Sequence, residues 1–199
     1  MANSSHALQD RRIKTGTHLF QPGYMRKGSV GWDDPALLVM TDFMRITPLT
    51  IEPTKTIKFA NNKMIFCGVR LLLVTDAEGL ILGLITSHDI LGEKPLKYIK
   101  EHGGQRDEIL VLDIMTHSDN LTATSYEDIE KATVTDVVAL IRNVGRHHIA
   151  VTENINGKEC IRGLFSQTQV ALQLGEDIDF TNRANSFAEL GEALSSSYG

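Results

Sequence analysis

The sequence predicts an α/β protein of the α+β type, built from two copies of one unit. Two observations carry that prediction. The first is the stretch from Val69 to Leu91, where apolar runs flank Asp76-Ala77-Glu78-Gly79 and lead into a polar step, Thr86-Ser87-His88-Asp89. It reads as strand, tight turn, strand and helix, with Gly79 available for a positive φ. The second is that the stretch returns. Arg146-His147-His148-Ile149-Ala150-Val151 repeats Val69 to Val74, and Asn156-Gly157 makes the turn. Cys160 to Phe165 repeats Leu80 to Ile85, and Ser166-Gln167-Thr168-Gln169 stands where Thr86 to Asp89 stood. An internal repeat is the strongest organisational feature of the chain.

Taken in order, residues 1–34 are a polar arm without sustained periodicity, pinned if at all by Leu19, Phe20, Tyr24 and Trp32. The first repeat spans 35–100. Pro35 suits a first helical position, with Asp34 as its cap, and Thr47-Pro48-Leu49-Thr50-Ile51 is an extended piece. Ile57, Ala60 and Met64 fall at helical spacing before Gly68. The helix opened by Thr86 closes at Leu91-Gly92-Glu93-Lys94-Pro95. The second repeat spans 108–175. In it Leu110 to Met115 echoes Val39 to Met44, with Asp113 matching Asp42 and Met115 matching Met44. A polar connection from Thr116 to about Thr133 follows, then a stripe of Val134, Val137, Val138, Ile141 and Val144 stopping at Gly145. Residues 176–199 form a C-terminal helix and tail, with Phe187, Leu190 and Leu194 on one face.

The totals set limits. A chain of 199 residues can bury one sizeable core or two small ones, and its net charge of −5 argues against a general nucleic-acid binder. No apolar run reaches the length of a membrane span and no signal-peptide core stands at the start, so the cytoplasm is the expected location. Cys67 and Cys160 lie in apolar runs without CxxC spacing, which predicts buried thiols rather than a disulfide. No nucleophile elbow, P-loop, HExxH or convergent acid pair is present, so no catalytic residue and no enzyme is expected.

Asp42-Phe43-Met44, Asp113-Ile114-Met115, the Val74-Thr75-Asp76 turn and Gly83-Leu84-Ile85-Thr86-Ser87-His88-Asp89 together resemble a tandem pair of cystathionine-beta-synthase (CBS) domains, or Bateman module, over about Val39 to Leu174. The resemblance implies two β-α-β-β-α repeats packed about a pseudo-twofold axis, often paired further into a homodimer. It also implies clefts between the repeats that hold an adenine nucleotide such as AMP, ADP or ATP. Basic residues at the start of the first hairpin strand would face the phosphates; here they are Arg70, Arg146, His147 and His148. Adenine would lie against Ile46-Thr47-Pro48-Leu49 and part of Leu71 to Leu73, although Leu73 stands where the family commonly has Pro.

Thr86 and Asp89 have two readings. As a capping box, the Thr86 hydroxyl accepts from the Asp89 amide. As a binding pair, the carboxylate accepts from both hydroxyls of a ribose through charge-assisted bonds. Ser166 and Gln169 also fit a capping box but lack the acid, which points to Asp89 as the residue that capping does not require. One good site is expected, at Thr86, Asp89, Arg70, Thr47, Pro48, His147, His148 and Arg146. A weaker second site is expected at Ser166, Gln169 and Thr116. His147 and His148 alternate faces on a strand, so at most one enters a cleft, and no metal site is expected. The expected function is regulatory: an adenine nucleotide as ligand, no required cofactor, and a signal passed to an unidentified partner protein. The rivals are a scaffold that binds no ligand and a module for another adenosyl ligand, S-adenosylmethionine or NADH.

Overall fold

The computed structural model describes residues 12–18 and 27–180. Leu19, Phe20, Tyr24 and the C-terminal helix expected around Phe187 lie outside the described residues. A 3-10 turn, Ala36–Val39, leads into strand β1 (Thr41–Asp42). The first unit continues with β2 (Thr50–Ile51), helix α1 (Ile57–Cys67), β3 (Leu71–Thr75), β4 (Ile81–Thr86), α2 (Ser87–Leu91) and α3 (Lys94–His102). Then come α4 (Val111–Ile114), β5 (Thr116–His117), β6 (Ala123–Ser125) and α5 (Tyr126–Ile129). The chain closes with α6 (Val134–Val144), β7 (His148–Ile155), β8 (Lys158–Ser166) and α7 (Gln167–Leu174). No described helix is long and apolar enough to cross a membrane.

The elements form two four-stranded sheets, ordered β2-β3-β4-β5 and β1-β8-β7-β6. Each sheet holds a parallel leading strand, an antiparallel hairpin and a short strand borrowed from ahead of the other unit. β1 pairs with β8 (Thr41 opposite Leu164, Asp42 opposite Gly163), and β5 pairs with β4 (Thr116 opposite Leu84, His117 opposite Gly83). The exchange extends to the backbone beside it. Ile57 N donates to Ile109 O and Val134 N to Asp34 O, both at 2.9 Å. Bridges join Thr56 to Leu110 and Pro35 to Thr133.

The cores follow the same exchange. One contains Ala36, Val39 and Met40 with Val137, Ile141, Ile149, Phe165 and Val170 of the second unit. The other contains Ile109, Val111, Ile114 and Met115 with Ile57, Met64, Leu72 and Ile85 of the first. Leu73, Leu84, Ala150 and Leu164 join the two sheets face to face. Each large aliphatic side chain sealed this way contributes about 1.5–3 kcal/mol. The helices carry the expected stop signals: α1 ends at Gly68 (φ 67°) and α6 at Gly145 (φ 64°), left-handed positions that glycine adopts without a Cβ penalty.

Three sequence expectations are corrected here. The match of Asp42 to Asp113 and of Met44 to Met115 is out of register by four residues. Sheet pairing makes Thr41 the counterpart of Thr116, so buried Met40 corresponds to buried Met115 while Met44 is 73% exposed. The segment after Pro35 makes only a 3-10 turn without a side-chain cap, because β1 draws Thr41 and Asp42 into the second unit's sheet. Asp34 instead accepts from the Gly31 amide at 2.8 Å. The thiols are not buried: Cys67 is exposed on the outer face of α1 and Cys160 is half-buried, and both are free.

Candidate functional site

A cleft of about 760 Å³ opens between the two sheets, and the sequence-expected residues of both sites line it together. Thr47 and Pro48 enter from the segment leading to β2, Arg70 from the residue before β3, and Thr86 and Asp89 from the β4–α2 step. The second unit brings Arg146 and His147 from ahead of β7, His148 from its first position, and Ser166 and Gln169 from the β8–α7 step; Thr116 comes from β5. The antiparallel hairpins explain this convergence. Leu71 sits opposite Thr86 and His148 opposite Ser166, so each basic strand start lies beside a polar helix start. Backbone bonds hold that closeness, from Ser87 N to Arg70 O at 2.9 Å and from Gln167 N to His147 O at 3.0 Å.

Thr86 and Asp89 form a complete capping box. Asp89 N donates to Thr86 Oγ1 at 3.1 Å, while Asp89 Oδ2 accepts from Thr86 N at 2.8 Å and from its hydroxyl at 2.7 Å. The second unit does not match it: Ser166 makes no side-chain cap bond. Thr86 has ψ 162° and Ser166 ψ 123°, which presents the first helical amides differently, and glutamine is one methylene longer than aspartate. Capping is thus not common to both units, contrary to the expectation that it would leave Asp89 over for binding. Asp89 is itself the cap partner.

Its other oxygen faces Lys94, which sequence reasoning missed. Lys94 Nζ lies 2.7 Å from Asp89 Oδ1 and donates to Ile114 O at 2.9 Å. Only the fold reveals this lysine, because Ile114 reaches it through the exchanged segment. Asn120, Leu121 and Thr122 were also missed. They precede β6, whose pairing with β7 matches that of β2 with β3, which makes Leu121 the counterpart of Pro48.

Both histidines of the second unit line the cleft, which corrects the expectation that only one could. β7 begins at His148, so strand alternation does not govern His147. The His147 and His88 rings stand with centroids 6.0 Å apart, and His147 Nδ1 is 2.7 Å from Gln167 Oε1. His148 is held down to about 4, chiefly by burial and then by the neighbouring His147; Asp89 opposes the shift and Arg70 adds to it. At neutral pH His148 is therefore an uncharged donor and acceptor. The cleft thus sets a carboxylate, hydroxyls and a hydrophobic floor against a rim of Arg70, Arg146 and His147.

A family model described as CBS domain matches residues 39–95. Over those residues the chain is similar to a CBS domain. The second unit repeats the architecture of that domain strand for strand. Among solved structures, a conserved protein from Pyrococcus horikoshii shares the fold at 21% identity and TM-score 0.53, covering 75% of this chain and 98% of its own. A CBS-domain containing protein from Agrobacterium tumefaciens aligns at 21% identity and TM-score 0.49, covering 67% of this chain and 92% of its own. CBSX2 in complex with AMP aligns at 18% identity and TM-score 0.46, covering 69% and 93%. No curated protein matches the chain in sequence.

Proposed function

We propose that this CBS-domain protein is a regulatory module that binds an adenine nucleotide in the cleft between its two units and signals the occupancy to a partner protein. The observation that carries this reading is the opposition of Thr86 and Asp89 in the first unit to Arg146, His147 and His148 in the second, within one cleft. A ribose has hydroxyls to give to a carboxylate, and phosphates require the fork of arginine or an imidazole donor. Thr47 and Pro48 offer an apolar edge for the base. Ser166, Gln169 and Thr116 make a weaker second half, because the amide of Gln169 has one acceptor oxygen where Asp89 has two.

Isothermal titration with AMP, ADP and ATP tests the reading, with micromolar binding expected at about −8 kcal/mol. S-adenosylmethionine and NADH in the same titration test the related adenosyl ligands, for which the cleft volume leaves room.

The outer face of α1 supports self-association as well. Phe59, Ile65 and Phe66 are 51%, 71% and 92% exposed there. Counting from the shared cap positions, Thr56 and Thr133, their counterparts on α6 are Asp136, Arg142 and Asn143. The same helix is thus polar outside in one unit and apolar in the other, and a second copy of the chain is the occupant we assign to the apolar face. A scaffold that binds no ligand is the reading left if titrations fail while the dimer persists.

A further inference from the structure

Lys94 joins the cleft to the segment that passes between the units. Its ammonium is 2.7 Å from Asp89 Oδ1, 2.9 Å from Ile114 O and 3.5 Å from Thr116 Oγ1. Ile114 ends α4 and Thr116 opens β5, so these partners belong to the stretch that crosses from one unit to the other. Asp89 is 8% exposed and its Oδ2 already accepts two bonds, from the amide and hydroxyl of Thr86. A carboxylate oxygen has two lone pairs, so what remains on Asp89 is one acceptor direction on Oδ1, beside Lys94. A ribose presents two neighbouring hydroxyls. Both can bond Asp89 only if one of them takes the place of the ammonium.

We propose that Lys94 and the ribose of a bound nucleoside claim the same oxygen of Asp89, so that nucleoside binding detaches Lys94 and loosens its hold on Ile114 and Thr116. The inference rests on the adenine-nucleotide reading above and adds its regulatory step. The energetics favour an exchange over simple addition. A half-buried ammonium released from Asp89 regains water at the cleft mouth, while the carboxylate stays paired throughout. The crossing segment loses one of its side-chain anchors and keeps the short β5 ladder to Gly83 and Leu84. Occupancy in the first unit is thereby felt where the second unit begins.

Adenosine is the probe, because it carries the ribose without the phosphate charge that Lys94 would attract for other reasons. Titrations compare the unaltered protein with Lys94→Met and Lys94→Gln, the second keeping a donor for Ile114 O should the first fold poorly. Each is paired with amide hydrogen exchange at Thr116 and His117. Removing Lys94 leaves Asp89 Oδ1 without its donor until the ribose arrives, so both variants should bind adenosine about five- to tenfold tighter. Exchange at Thr116 and His117 should rise on adding adenosine to the unaltered protein. In Lys94→Met it should already be raised and should not change further, whereas Lys94→Gln, which keeps a donor for Ile114 O, should lie between the two. Equal or weaker adenosine binding by the variants overturns the proposal, since Lys94 would then be a bystander or a direct ribose contact. If neither adenosine nor AMP binds the unaltered protein, the nucleotide reading falls and the proposal with it.

Discussion

Gly83 and Gly163 hold the same post in opposite sheets, each lying under the strand that the other unit contributes. A Cβ at Gly83 would run into the Thr116 carbonyl oxygen, and one at Gly163 would come within 2.6 Å of the Thr41 carbonyl oxygen. The pair makes the exchange of β1 and β5 sterically possible, and the exchange in turn builds the cleft from both units.

Alanine at either position should push the borrowed strand away. Because the obstacle is backbone, the neighbour cannot yield as a side-chain tip would. Gly163→Ala should destabilise the fold by about 1–3 kcal/mol, read from the midpoint of urea unfolding. An unchanged midpoint would show that β1 does not bear on stability.

His148 makes stability depend on pH. It titrates near 4 in the folded protein against an ordinary value of 6.5, so the unfolded chain takes up the proton first. Its full contribution is present above pH 6.5 and is lost as the pH falls toward 4, by roughly 3 kcal/mol at the limit. Melting temperature followed from pH 7.5 to 4.5 should therefore fall, and His148→Gln should flatten that slope. A bound phosphate facing the ring would favour the imidazolium, so AMP affinity should gain more between pH 7.5 and pH 5 in the unaltered protein than in His148→Gln, a comparison in which the phosphate's own titration cancels. Adenosine, lacking the phosphate, should bind equally at both pH values. Identical pH profiles of AMP binding in the two proteins would remove His148 from the phosphate side.

Much of this arrangement was legible in the sequence. The repeat set the two hairpins, and the basic strand starts and polar helix starts met because hairpin pairing makes them neighbours. The exchange was not legible, because β1 and β5 are two residues each and too short to impress a period on the sequence. For the same reason Met44 stood in for Met40, since both are methionines near the head of the first unit and only pairing distinguishes them. Lys94 reads as a helix-start lysine until Ile114 is brought beside it. Ser166 and Gln169 have acceptable cap chemistry, but a backbone angle decides whether the cap forms.

The apolar face of α1 predicts the oligomeric state. Phe66→Ser should shift the protein toward monomer in size-exclusion chromatography with light scattering, whereas Asn143→Ser, at the matching place on α6, should leave it as it was. Equal behaviour of the two variants, or a monomer to begin with, would rule out α1 as the contact between copies.

Asp89 bears most directly on the central claim. Asp89→Asn retains size and an acceptor for the Thr86 amide while removing the charge that pairs with Lys94 and that the proposed function gives to the ribose. Isothermal titration of AMP into the unaltered protein should give micromolar affinity, and into Asp89→Asn an affinity weaker by about 1–3 kcal/mol, roughly five- to 150-fold. Equal affinity of the two proteins, with the variant folded, would contradict the assignment of Asp89 to the ribose.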